Sequence, residues 1–297
     1  MNYRAEYVII QTSCKVQARE AILTSSIVFQ IGPVVVHWYG LLIVVGTLLG
    51  GVVAGREAKR YGENPGHVWF GLESVLVLGF VGARLYHVLS TPATGMGGFR
   101  HYYENPIALF QVWDGGLGIY GGIAGGVAAV LLYSRRHSLR AWRWLDIGAL
   151  GLVLAQAVVR WANFINQELY GPPTPLPWGI EIDAVHRIPR YSDLELYPVG
   201  MTRFHPTFFY ESLWNLVIFA LLLWVGRRWS DRWREGDIFV VYLALFGLGR
   251  IWIMQVFRPD AWRLENGLAV GALIGAGLTL GAGVFLLWRH RRRPYRL

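Results

Sequence analysis

The string "RWANFINQELYG" (residues 160–171) places a guanidinium, two carboxamides and a carboxylate, on Arg160, Asn163, Asn166 and Glu168, within nine positions. Directly before it runs "LDIGALGLVLAQAVV", fifteen residues with one charge. If a helix continues past Arg160, then Asn163, Phe164 and Gln167 share its face and Glu168 lies about 80° away. Such a helix end offers donors to an anion and sets a carboxylate beside them.

Two more arginines fall within apolar runs, Arg84 in "GARLYH" and Arg250 in "GLGRIWIMQ". An arginine in hydrocarbon is costly enough to mark a functional site. Three guanidinium groups aimed at one pocket select an anion, and in a membrane that anion is a lipid phosphate, which guanidinium grips bidentately. The competing account has each arginine snorkelling or paired with a carboxylate such as Glu73, Glu168 or Glu211. Glu211, in "FHPTFFYES", itself needs a cation if it lies in lipid. His205, just ahead of it, is a candidate general base, although "HPT" also reads as a helix start. Tyr39 in "HWYGL" fits interfacial packing. Tyr120 in "GIYGG" has glycine neighbours that leave its hydroxyl accessible, to donate a hydrogen bond or, beside an arginine, to act as a base. The eight histidines are scattered and no His-Glu-x-x-His pair occurs, so no metal ion or cofactor is expected.

The elements that must hold these residues are spans. Hydrophobic residues make up 54% of the 297 and charged ones only 16%, against roughly 25% charged in soluble domains, which points to a membrane protein. Seven stretches are long and apolar enough to cross a bilayer: near 34–55, 67–89, 116–133, 145–162, 207–225, 237–256 and 267–288. Seven crossings put the termini on opposite sides. The 56–66, 134–144 and 226–236 loops and the C-terminal tail hold sixteen Lys and Arg, against ten on the other side. The richer side is cytoplasmic by the positive-inside rule, so the N-terminus is outside and the long 160–206 segment faces outward. That segment is proline-rich, with aromatic rings suited to an ordered interfacial cap.

The expected class is therefore an all-α integral membrane protein with seven transmembrane helices and a small outer cap between spans 4 and 5. Its layout is an N-terminal extension over 1–25, a helical domain over 26–290 and a basic tail over 291–297. Residues 1–25 lack the pattern of a secretory signal. Cys14 is the only cysteine, which excludes an internal disulfide. A net charge of +9 raises nucleic acid as a partner, but the arginines are dispersed between apolar runs and none is expected. Gly118, Gly122 and Gly126 repeat every four residues in span 3, as do Gly267, Gly271 and Gly275 in span 7, a pattern for close helix packing. "GLGIYG" matches a dinucleotide fingerprint but lacks the strand before it and the acidic residue after it.

Six motifs in order, "HWYGLL", "GARLYHVL", "VWDGGLGIYGGIAGG", "RWANFINQELYG", "HPTFFYES" and "GRIWIMQVFRPD", give the chain a resemblance, over about residues 30–288, to the prolipoprotein diacylglyceryl transferases of bacterial inner membranes. The resemblance implies seven spans with a periplasmic cap. It implies transfer of the diacylglyceryl group of phosphatidylglycerol to the lipobox cysteine of a preprolipoprotein signal peptide, with glycerol 1-phosphate released. It further implies that Arg160 and Arg250 bind the head group, that Asn163, Glu168 and Gly171 share the site, and that Tyr39 and Tyr120 line the lipid cavity. Tyr120 stands where some members have histidine. Gln255 stands where an acidic residue follows the last arginine motif, with one extra residue between, which leaves the partner of Arg258 open. A polytopic anion or lipid transporter is the alternative class and would require an inverted repeat and broken helices. A receptor would rest on span count alone.

Overall fold

The computed structural model describes residues 27–31, 34–90, 99–111 and 116–291. The N-terminal extension with Cys14, the tail beyond residue 291 and residues 112–115 of the glycine-rich motif lie outside the described residues. The chain opens with an antiparallel pair, β1 (Ile27–Ile31) and β2 (Val34–His37). This short pair precedes an otherwise helical chain, in keeping with the all-α class. The β-branched run Val34–Val36 favours extended backbone, so the first helix starts at Trp38 and not near 34.

Among the described residues eight α-helices follow: α1 (Trp38–Arg60), α2 (Gly66–Leu89), α3 (Phe99–Glu104), α4 (Ile119–Arg136), α5 (Ala141–Ile165), α6 (Thr207–Arg228), α7 (Asp237–Val256) and α8 (Val270–Arg291). Six of them, all but α3 and α4, are long and apolar enough to cross a membrane by length and composition. The glycine-rich α4, at 18 residues, is shorter and ends on two arginines. Apolar side chains cover the outer faces, among them Phe70, Val77, Leu132, Leu280 and Val284. An uncovered apolar face of this extent matches a hydrocarbon surrounding.

About half of α5 and α7 is buried, against about a fifth of α1, α2 and α8, so α5 and α7 form the centre. With α6 they build the main core from Leu150, Val153, Ile218, Leu222, Tyr242 and Phe246. The outer helices attach by glycine contacts at which two backbones nearly touch. A Cβ on Gly50 (α1) would stand 2.6 Å from the Gly151 carbonyl oxygen (α5), and one on Gly247 (α7) 2.5 Å from that of Gly275 (α8). Between α2 and α4 the crossing falls on Gly82, Gly121 and Gly125, one residue off the stripe read from sequence, while Gly122 and Gly126 sit in ordinary contact. Gly121→Val would drive its side chain into the Gly82 carbonyl and Tyr86. Thermal unfolding in detergent is expected to show a loss of about 1–3 kcal/mol for this variant, as for other overpacked contacts, and no shift for Gly277→Ala, where space is open.

Charged groups lock the helix ends remote from the 166–206 segment. Asp146 accepts hydrogen bonds from the backbone N–H groups of Gly236 (2.6 Å) and Phe239 (2.8 Å), which caps α7. Glu57 is paired with Arg60 (2.6 Å) and Arg227 (3.0 Å), and Asp237 with Arg289 (3.3 Å) and His290 (2.8 Å). At the other end, residues 166–206 form an ordered cap with its own core of Tyr170, Ile182, Tyr191 and Phe204. Bridges from Pro173 and Ile180 to Phe204 close it on itself.

Candidate active site

Glu211 stands in the second turn of α6, 4% exposed. Its Oε2 forms an ion pair with Arg160 Nε at 2.7 Å, and its Oε1 accepts from Arg250 Nη1 at 3.1 Å. Arg258 Nη1 lies 3.9 Å from the same Oε1. One carboxylate thus ties the ends of α5, α6 and α7 together, and three guanidinium groups converge on it. The sequence offered Glu73, Glu168 and Glu211 as partners; the structure brings Arg160 and Arg250 both to Glu211. Arg250 Nε is buried and has no hydrogen-bond partner among the described residues. A buried donor of this kind calls for an acceptor, whether water, ion or ligand.

Arg160 Nη1 donates to Asn163 Oδ1 (3.4 Å), and Asn163 Nδ2 donates to Glu168 Oε1 (2.9 Å), which also accepts from Asn166 Nδ2 (3.3 Å). Glu168 comes this close because the chain doubles back. Helix α5 stops at Ile165, and Gln167 (φ 50°) and Leu169 (φ 57°) occupy the left-handed region. That region is strained for any side chain and rare for leucine. The reversal returns the Glu168 N–H to the Asn163 carbonyl at 2.9 Å. It also corrects the shared helix face: Gln167 leaves that face and pairs in both directions with Asp183, at 2.7 Å each. Gly171 closes the turn, its N–H donating to the His205 carbonyl at 2.9 Å, and a Cβ there would meet the His205 Cβ at 2.7 Å.

The other residues singled out from sequence are placed as follows. Tyr39, in the first turn of α1, is partly exposed and within electrostatic reach of Glu168 and Arg160. Tyr120 lies beside Arg250, whose guanidinium carbon is 5.9 Å from the ring centroid. Its hydroxyl donates to the Gly271 carbonyl at 3.1 Å. His205 Nδ1 is 3.0 Å from the Tyr210 hydroxyl, which accepts from Trp178 Nε1 at 2.9 Å. Burial pushes the His205 imidazole down, so the ring is neutral at pH 7. Arg84 is used differently. Its guanidinium donates to the carbonyls of Leu109 (3.0 Å), Gly116 (3.1 Å), Ala108 (2.5 Å) and Gln111 (3.3 Å), organising the segment ahead of α4.

Asp260 and Asp183 carry roles that the sequence reading did not assign. Asp260 receives Arg258 in a bidentate pair, at 2.9 and 2.7 Å, which answers the partner question left open. The Arg-Pro-Asp spacing was the available signal; Asp183 had none, since its partner is sixteen residues away. Burial pushes the Asp260 carboxyl up, but the Arg258 hydrogen bonds and charge outweigh it and hold it below the usual carboxylate range. A carboxyl depressed on folding contributes stability above its unfolded pKa, about 3.9, and loses it as pH falls through the folded value. Asp260→Asn is therefore expected to flatten the acid limb of the stability curve below about pH 4, read as unfolding midpoint against pH.

A bundle of apolar helices holding a buried cluster of arginines around one carboxylate defines a polytopic membrane protein. The chain belongs to the prolipoprotein diacylglyceryl transferase family, whose profile matches residues 26–288. It is 39% identical to the phosphatidylglycerol–prolipoprotein diacylglyceryl transferase of Chloroflexus aggregans, over 88% of this chain and 87% of that one. The enzyme of the same name from Trichormus variabilis is 37% identical, over 90% and 91%. That from Frankia alni is 40% identical over 88% of this chain, which spans 65% of the Frankia protein. The family is one of transferases acting in lipoprotein biosynthesis, and the chain is a multi-pass membrane protein within it.

Proposed function

We propose that this chain transfers the diacylglyceryl group of phosphatidylglycerol to the lipobox cysteine of a preprolipoprotein, forming a thioether and releasing glycerol 1-phosphate. The observation that carries the reading is the Glu211 bridge, which fixes Arg160 and Arg250 together while leaving Arg250 Nε unpaired. The names of the relatives support the same reaction.

In this mechanism the cysteine sulfur attacks the glyceryl carbon that bears the phosphate ester. The C–S bond forms as the C–O bond breaks, and the electron pair leaves on the phosphate oxygen. Arg160 and Arg250 bind the head group and stabilise that developing charge in a site of low dielectric. Glu168 takes the thiol proton: both amide bonds fall on its Oε1, which leaves Oε2 for the proton. Tyr120 forms the cavity wall beside Arg250, with Tyr39 at the mouth. Asn163, Asn166 and Gly171 hold Arg160 and Glu168 in place, and His205 supports the turn from behind. Arg84 orders the segment that leads into α4 and the lipid cavity.

The protein sits in the bacterial plasma membrane as one transferase domain over residues 26–290, followed by a basic tail. Helix α4 is the seventh span; its 18 residues extend about 27 Å, close to the hydrocarbon thickness. The N-terminus is outside, the C-terminus cytoplasmic and the Glu211 site toward the outer leaflet. The Lys and Arg imbalance supports this orientation, as does the placement of Arg227 and Arg228 at the opposite end of α6 from Glu211. The polar string after α5 then stands where acyl chains end and the reacting bond begins. A transporter would need helices broken near the midplane, whereas α5, α6 and α7 run uninterrupted.

The test is purified protein in phosphatidylglycerol vesicles with a lipobox peptide. The peptide gains the mass of a diacylglyceryl group, and gains nothing from phosphatidylcholine vesicles. An unmodified peptide in both would reject the reading.

A further inference from the structure

At the other end of α6 a cavity of about 600 Å³ opens between the C-terminus of that helix and the last turns of α8. Its walls are Trp229, Trp233 and Leu287, and its rim carries Arg232 and Arg291. Trp229 follows Glu211 by eighteen residues along one helix, a separation of about 27 Å at 1.5 Å per residue, so this cavity is distinct from the arginine cluster. His290 also lines it, with Nε2 bonded to the buried Asp237 at 2.8 Å, which fixes the α8 side of the wall. Trp233 packs edge-on against the same imidazole at 6.3 Å, which fixes the facing side.

We propose that this cavity is a second lipid site, and that it binds an anionic phospholipid of the leaflet opposite the Glu211 site. The two halves of the cavity complement the two halves of such a molecule. The indole and leucine surface suits the upper acyl chain and glycerol backbone, while the two rim arginines suit a phosphate that carries net negative charge. Basic pockets between membrane helices recognise anionic head groups in this way, and each arginine near the surface adds about 1 kcal/mol. A zwitterionic lipid satisfies the apolar wall but brings no net charge to the rim. A free phosphate satisfies the rim but leaves the wall wet. The proposal does not rest on the transferase reading, because lipid held here is read without turnover.

The experiment is native mass spectrometry of the full chain released from phosphatidylcholine nanodiscs doped with phosphatidylglycerol, comparing wild type with Arg232→Gln/Arg291→Gln. Wild type is expected to retain one more phosphatidylglycerol than the variant, and the variant's affinity at this site to fall about twenty- to thirtyfold. Arg232→Lys/Arg291→Lys should restore retention, which a folding defect would not allow, and transfer to a lipobox peptide should continue in all three proteins. Equal retention by wild type and the Gln pair overturns the proposal. So does displacement of the extra lipid by millimolar inorganic phosphate, which would mark a soluble-anion site.

Discussion

Glu211→Gln is expected to lower transferase turnover by about 100-fold or more and to destabilise the fold by about 3–5 kcal/mol. The carboxylate is 4% exposed and is the shared counter-ion of Arg160 and Arg250. Glutamine keeps the shape and removes the charge, so two guanidinium groups are left around a neutral carboxamide with no negative charge between them. Breaking a buried pair by removing one partner is costly because the remaining charge is stranded. Here a single substitution strands two. Their mutual repulsion would then splay α5 from α7 at the site, so activity falls even in molecules that remain folded. Turnover measured beside thermal unfolding separates the two effects. A variant as stable and as active as wild type would mean that the arginines are held by something other than Glu211.

Arg250→Lys and Arg160→Lys are expected to reduce kcat by about 10²–10³ with smaller changes in KM, the range seen when one donor to a developing anion is lost. A guanidinium planted on Glu211 through one nitrogen still presents others to phosphate, whereas an ammonium serves as a point charge and loses the fork geometry. If the arginines bound only the resting head group, KM would rise while kcat stayed level. That split is the measurement, made with phosphatidylglycerol at varied mole fraction. The double lysine variant should lose less than the product of the single losses, since the two side chains act through one carboxylate. Full additivity would place them in separate sites.

The sequence displayed its long helices and its chemical residues well, because both follow from local pattern. Twenty apolar residues make a span wherever they occur, and an arginine among them is conspicuous. The helices at 66–89, 207–228 and 237–256 fall within about three residues of the stretches read from composition. Pairing was less legible. Three carboxylates were available to Arg160 and Arg250, and the choice of Glu211 depends on how α5, α6 and α7 cross. The left-handed turn at Gln167 and Leu169 was hidden for a different reason: neither residue type favours it, so no propensity announces it. The cap's bonds to Gln167 and the Gly171 contact with His205 impose the turn. The β1–β2 pair went unread because its valines suit a strand and the start of a span equally well.

The cap's closure on itself sets an order of events during synthesis. Its core draws only on residues 170–204, all of them synthesised before the third helix of the central trio. The reactive cluster has no such independence, since Arg250 and Arg258 are translated some forty residues after Glu211. A nascent chain therefore holds the whole cap together with Arg160 and Glu211 before the remaining guanidinium groups of the cluster, on Arg250 and Arg258, exist.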